Sequence, residues 1–207
     1  AEPEESPPAL EATLPLPGRA GSGAGASPPR PSRGEDYEDL GPLGVGGMGA
    51  VRRVRDRVLN RPMAMKTLHA DLLERPGVVA RFVEEAQATA QLQHPGIVPV
   101  HELGWLADGR PYFTMREVRG RTLGRVLRAV HEASGDTWAP TPDGWSFRRL
   151  IDAFHRVCEA VAYAHDRGVI HRDLKPENVM VGEHGEALVV DWGLAKVIGQ
   201  PDRAAEA

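Results

Sequence analysis

The chain has 207 residues with 25 basic and 29 acidic side chains, a formal charge of −4. That balance lacks the basic excess of a general nucleic-acid binder, and the single Cys158 excludes a disulfide framework or a cysteine-based zinc site. No apolar run reaches the ~18 residues of a membrane span, and the N-terminus lacks the basic start and apolar core of a signal peptide. The length suits one domain with at most an appendage. The first residue is Ala1 rather than Met, which suggests a processed chain or a piece of a longer one.

Residues 1–34 hold 8 Pro and 5 Gly without helical or alternating periodicity. Such a segment cannot bury enough apolar surface to offset its ordering entropy, so it reads as a disordered tail or linker. Its Ser27–Ser32 stretch could form polyproline II and dock to an aromatic groove, although a passive spacer is the simpler reading. After Tyr37, a glycine-rich turn between two short apolar stretches predicts a β-hairpin, and Pro62–Ala70 follows as a third strand. Residues 76–93 place Val79, Phe82, Ala86, Thr89 and Ala90 at helical spacing, starting just after Pro76. Ile97–Leu103 and Tyr112–Val118 read as two further strands around an Asp108-Gly109 turn. A polar stretch, 134–146, then precedes an amphipathic helix with Phe147, Leu150, Ile151, Phe154, Val157, Cys158 and Val161 on one face. Cys158 on that face reads as a core thiol. Residues 169–199 read as a turn, a tight hairpin and a second turn.

Gly44, Gly46, Gly47 and Gly49, leading to Val51, would let backbone N–H groups approach phosphate oxygens without Cβ interference. The alternative is an ordinary turn. No Gly-Lys-Ser/Thr follows and the loop precedes a strand, so neither a Walker loop nor a dinucleotide fingerprint fits. Of the 25 basic residues only Lys66, Lys175 and Lys196 are lysines. A compact ammonium among phosphate oxygens is a role that a planar guanidinium does not replace, although three lysines are also consistent with chance. Glu85 lies on the same helix side as Phe82 and Ala86, so it can point inward and hold Lys66 charged; the alternative leaves Glu84 and Glu85 solvated.

The last hairpin adds a geometric expectation. If Val179–Val181 pairs with Leu188–Val190, Asn178 and Asp191 stand opposite each other at its open end. Two adjacent oxygen ligands suit Mg²⁺, which takes few protein ligands and keeps water and phosphate oxygens. Asp173 and Lys175 on the preceding turn would bring an acid/base carboxylate and a second ammonium to the same spot. The alternative is a polar hairpin end without an ion.

Taken in order, the glycine loop 44–51, Ala64-Met65-Lys66, Glu85, His171-Arg172-Asp173-Leu174-Lys175-Pro176-Glu177-Asn178 and Asp191-Trp192-Gly193 resemble the protein kinase family. Gly46-Gly47-Met48-Gly49 and His94-Pro95-Gly96-Ile97-Val98 look like bacterial serine/threonine kinases of the eukaryotic type, and Lys175 two residues after Asp173 is the serine/threonine pattern. The resemblance implies an α+β two-lobe fold, with a β-rich N-lobe over 35–118 and a partial helical C-lobe over 119–207 that ends in the activation segment. It implies that Gly44, Val45, Gly46, Gly47, Met48 and Gly49 cover the phosphates of ATP, and that Lys66 paired with Glu85 holds the α and β phosphates. Val51, Ala64 and Met180 would sandwich the adenine, Met115 would gate the back pocket, and the backbone of Arg116, Glu117 and Val118 would bind the base. Asp173 would accept the proton of a Ser/Thr hydroxyl on a protein substrate, and Lys175 would neutralise the transferred phosphoryl. Asn178 and Asp191 would bind Mg²⁺, with Mn²⁺ as the alternative ion. Arg172 suggests control by a phosphorylated activation loop.

Two departures from the family pattern stand out. Trp192 occupies the usual Phe position, which should preserve packing while altering how the motif flips. Few residues follow Gly193, so the chain reads as a kinase fragment, inactive by itself and poorly stable, with faces of the 147–165 helix and of the catalytic hairpin left uncovered. The alternative is a catalytically inactive nucleotide-binding pseudokinase or scaffold module. The expected partner is protein and not nucleic acid, the expected location is the cytoplasm, and dimerisation is left open.

Overall fold

Strand β1 (Tyr37–Val45) pairs antiparallel with β2 (Gly49–Asp56), and β2 pairs with β3 (Arg61–Leu68), in the computed structural model, which describes residues 36–182 and 185–198. The 1–34 stretch read as a tail lies outside the described residues. Strands β4 (Val100–Trp105) and β5 (Pro111–Met115) complete a five-stranded antiparallel sheet in the order β1-β2-β3-β5-β4. The central β3 buries Met63, Ala64, Met65, Thr67 and Leu68, the near-continuous apolar run expected of a strand covered on both faces. Helix α1 (Val78–Ala90) covers one face. Its Phe82 packs on Phe113 with ring centroids 5.2 Å apart, beside Leu68, Leu72 and Ala86. The other face carries Val54, Met63, Met65 and Tyr112, with Tyr37 standing edge-on to Tyr112.

The fourth and fifth strands are shorter than the sequence predicts. Ile97 and Val98 leave the sheet and lie against β9 (Ala187–Val189), where Ile97 bridges Val189 and the Val189 N–H donates to the Gly96 carbonyl at 2.8 Å. Pro99 has no N–H to continue the ladder and separates the two pairings. Beyond Met115, the Arg116 N–H donates to the Pro99 carbonyl at 3.2 Å as the chain leaves the sheet.

The rest is mainly helical. Strand β6 (Gly120–Thr122) leads into α2 (Leu123–Ala133), whose N-cap Thr122 accepts from the Arg125 N–H. The sequence reading held no element at α2, although Leu123, Val126, Leu127 and Val130 follow a helical period directly after that Thr. Helix α3 (Phe147–Asp166), capped by Ser146, ends where Gly168 takes a φ of 71° and its N–H bonds back to His165. Short β7 (Val169–Ile170) pairs with β10 (Lys196–Val197), and β8 (Val179–Gly182) joins β6 to β9.

Helix α3 keeps Leu150 and Val157 of the expected face in the core but is rotated from it at the other positions. Leu150, Ala153, Val157, Ala160 and Ala164 are buried, whereas Phe147, Ile151, Phe154 and Cys158 are exposed. Cys158 is therefore not a core thiol. The buried stripe is rich in alanine because the backbone approaches closely there. A Cβ built on Gly96 would sit 2.9 Å from the Ala160 methyl. Bulkier residues on that stripe would overpack the contact.

Candidate active site

The loop between β1 and β2 is closed by the Gly46 N–H donating to the Gly49 carbonyl at 2.8 Å. Gly49 sits where β2 crosses β3 so closely that a Cβ would lie 2.2 Å from the Thr67 carbonyl oxygen, so only glycine fits. Gly44 and Gly47 have nothing within 4 Å of a built Cβ, which leaves the loop's outer backbone open to a ligand. His69, which the sequence reading passed over, holds the loop from beneath. Its Nε2 lies 3.0 Å from the Gly46 carbonyl, and its N–H donates to the Met48 carbonyl.

Two strands below this loop, the β2–β3 register sets Val51 opposite Lys66 and Arg53 opposite Ala64, and Ala64 also faces Met115 of β5. Ala64 is buried, while Val51, Met115, Val118 and Met180 are partly so. The connecting segment is braced by a side chain. Arg53 donates from Nε and Nη2 to Glu117 Oε1, the former at 2.9 Å.

Lys66 is the meeting point of three elements. Its Nζ donates to Glu85 Oε1 of α1 at 2.6 Å and to Asp191 Oδ1, after β9, at 3.2 Å. The inward position expected of Glu85 is the one observed. Burial works to lower the lysine's pKa, but the Glu85 and Asp191 carboxylates outweigh it and hold the ammonium above its ordinary range.

The 171–178 turn carries the second group. Asp173 Oδ2 accepts from Lys175 Nζ at 2.7 Å and from Asn178 Nδ2 at 3.0 Å. These contacts, Lys175 foremost, hold the Asp173 carboxyl below the usual carboxylate range. Asp173 in turn raises Lys175, with further support from Asp191 and Glu177, so both lysines sense Asp191. His171 anchors the turn. It accepts the Asp173 N–H at Nδ1 and bonds the Val190 carbonyl through Nε2 at 3.1 Å, which makes Nε2 the protonated nitrogen. Burial keeps its pKa low. The ring also packs at a tilt against Trp192, 4.6 Å between centroids, and Trp192 is fully buried in the main core with its indole N–H unpartnered. Arg172 stands at φ 63° and donates from Nε to the Leu194 carbonyl.

The hairpin register differs from the expected one by a residue. Val179 faces Val189, Met180 faces Leu188 and Val181 faces Ala187. The turn closes through the Gly182 N–H on the Glu186 carbonyl, with Gly185 at φ 82°, which makes the loop odd-numbered. Asn178 therefore lies opposite Val190, whose N–H donates to the Asn178 carbonyl at 2.9 Å, and not opposite Asp191. Asp191, at φ 62°, has left the ladder, and the chain turns its carboxylate to Lys66. Asn178 spends its Nδ2 on Asp173, keeping its side-chain oxygen Oδ1 as a ligand, and the Asp191 side chain is half exposed. Both oxygens thus suit a hard cation, although no cluster of three or more His, Cys, Asp or Glu that could hold a metal exists among the described residues.

A buried ammonium under an open glycine loop, beside a half-exposed carboxylate and a Lys-held aspartate, is equipped to hold a polyphosphate and orient a hydroxyl against it. A family model described as protein kinase domain matches residues 37–206, and the chain belongs to that family. It is 43% identical over 172 residues to the serine/threonine-protein kinase PknD of Protochlamydia amoebophila, covering 82% of this chain and 17% of that protein. The PknD proteins of Chlamydia pneumoniae (36% over 168 residues, 81% of this chain and 18% of that protein) and Chlamydia muridarum (38% over 160 residues, 77% and 17%) are similar in the same way. The chain thus spans less than a fifth of the length of these curated relatives. Members of the family use ATP with Mg²⁺ and act on protein substrates. No helix among the described residues is long and apolar enough to cross a membrane.

Proposed function

We propose that the chain is the nucleotide side of a serine/threonine protein kinase, transferring the terminal phosphoryl group of ATP to a Ser or Thr hydroxyl of a protein substrate. The observation that carries this is the convergence of β3, α1 and the segment after β9 on the Lys66 ammonium, at 2.6 and 3.2 Å. The names of the relatives and the Lys175 position support the serine/threonine choice.

In this reading residues 35–118 form the N-lobe and 119–207 the part of the C-lobe present. The Gly44–Gly49 backbone, through Gly44, Val45, Gly46, Gly47, Met48 and Gly49, covers the phosphates while Lys66, fixed by Glu85, neutralises them. Val51, Ala64 and Met180 bracket the adenine, Met115 stands behind it, and the Glu117 and Val118 backbone meets its edge. Mg²⁺, or Mn²⁺ in its place, would be held by Asn178 and Asp191 and would neutralise charge on the phosphate oxygens. Asp173 orients the acceptor hydroxyl and takes its proton. Lys175 sits beside the incoming charge. Dependence on ATP carries with it a cytoplasmic location for this part of the protein.

The test is transfer of labelled phosphate from ATP to a generic protein substrate by the full-length protein, in Mg²⁺ and in Mn²⁺. Transfer that vanishes in Asp173→Asn is expected. Nucleotide binding without transfer in the wild type would overturn the proposal in favour of a non-catalytic module.

A further inference from the structure

A second recess lies away from the Lys66–Asp191 cluster, with a volume of about 420 Å³. Its polar lining, among the described residues, is Arg61 of β3, His101 of β4, Arg116, Glu117 and Arg119 of the connecting segment, and Glu186 of the β8–β9 turn. It therefore touches both the sheet and the helical part.

The charges around it are unevenly spent. Glu117 is buried, with Oε1 taken by Arg53 and Oε2 shut off from solvent. Glu186 is bonded to Arg116 at 3.4 Å. Both carboxylates of the recess thus already face an arginine. The donors are only loosely held. Arg61 pairs with Asp56 at 3.6 Å and Arg119 with Glu117 at 3.8 Å, ion pairs too long to be hydrogen bonds. Their side chains are 44% and 64% exposed, and each guanidinium carries five N–H donors in a planar fork that matches a tetrahedral oxyanion. His101 shares the lining as a further donor. Burial, and then the Arg61 charge, hold its imidazole below the ordinary range, the condition a nearby anion would reverse.

We propose that this recess binds a phosphate-bearing anion, gripped by Arg61 and Arg119 with His101 as the third donor. The volume exceeds that of one phosphate group, so the anion arrives with its carrier, either a phosphorylated side chain of a polypeptide or a free phosphorylated metabolite. A cationic ligand is disfavoured because arginines outnumber carboxylates in the lining and both carboxylates already face an arginine. The site is independent of the nucleotide reading.

The experiment uses the full-length protein with a non-hydrolysable ATP analogue in excess. Inorganic pyrophosphate, a phosphoserine peptide and its unphosphorylated twin are titrated by calorimetry, and the His101 imidazole is followed by NMR. Pyrophosphate should bind with the analogue present and raise the His101 pKa. Arg61→Gln/Arg119→Gln should weaken binding roughly tenfold or more. Tighter binding of the phosphopeptide points to a polypeptide source, and tighter binding of pyrophosphate to a free metabolite. No binding, displacement by the analogue, or undiminished affinity in the double variant would overturn the proposal. If the double variant does not fold, Arg119→Glu at the more exposed position decides the same question. If the analogue itself does not bind, the nucleotide reading fails while the dependence on Arg61 and Arg119 still decides this one.

Discussion

Lys66 and Lys175 each donate to a carboxylate at almost the same distance, 2.6 and 2.7 Å, yet their side chains are 12% and 48% exposed. The first pair lies between α1 and β3, where Glu85 is 3% exposed, so each partner depends on the other for its charge. The second lies on a turn in contact with water, which screens it and makes it nearly neutral for stability. Equal geometry therefore carries unequal consequences. The buried pair ties the position of α1 to the state of the site, whereas the exposed pair only tunes a carboxylate.

The largest effect that would break this contrast is at Lys66. Lys66→Met leaves the Glu85 carboxylate buried without its cation and should cost about 3–5 kcal/mol in denaturant unfolding, together with phosphoryl transfer. Wild-type stability in that variant would refute the asymmetry. Next, Asp173→Asn should lower kcat by about 10²–10⁴-fold with little change in the unfolding midpoint, since its ion pair with Lys175 is exposed and the new side chain keeps an oxygen for Asn178. A large stability loss there would place the two pairs in one class.

A smaller effect concerns pH. The folded pKa of His171 lies below its ordinary 6.5, so the unfolded chain binds the proton more readily. Its contribution to stability is complete above 6.5 and lost as pH falls, by up to about 1.4 kcal/mol per pH unit. The wild type should therefore lose stability on acidification more steeply than His171→Asn, as read by urea unfolding at stepped pH. The smallest effect is at Cys158, which should react with a thiol reagent in the folded protein without loss of the helical circular dichroism signal. Protection until unfolding would restore the core reading of that residue.

The chemistry-bearing residues were legible in the sequence because they are local motifs with fixed spacing. Lys66 beside the glycine loop and Asp173–Asn178 in one turn needed no long-range knowledge. Glu85 was legible from helix phase, since Phe82 and Ala86 mark the buried side. Helix α3 shows the opposite case. Its bulky stripe, Phe147, Ile151 and Phe154, gave a stronger period than Ala153, Ala160 and Ala164, but close approach to its neighbours favoured the small residues. The hairpin register failed by one residue because an odd loop with Gly185 in the left-handed region is not visible in strand pattern alone. Arg53, His69 and His171 act through backbone or ion-pair contacts to distant residues, which no spacing encodes.

By itself the sequence determined which residue types stand in which order: a glycine loop, one lysine on a central strand, a His-Arg-Asp turn and an Asp-Trp-Gly step. Tertiary structure decided how they meet. It sent Asp191 to Lys66 rather than to Asn178, chose the alanine side of α3 for the core and assembled an arginine-lined recess from β3, β4 and two loops. The physical reason is range. Backbone propensity and motif spacing act over a few residues, whereas burial, close packing and ion pairing act between residues brought together only after the chain has closed on itself.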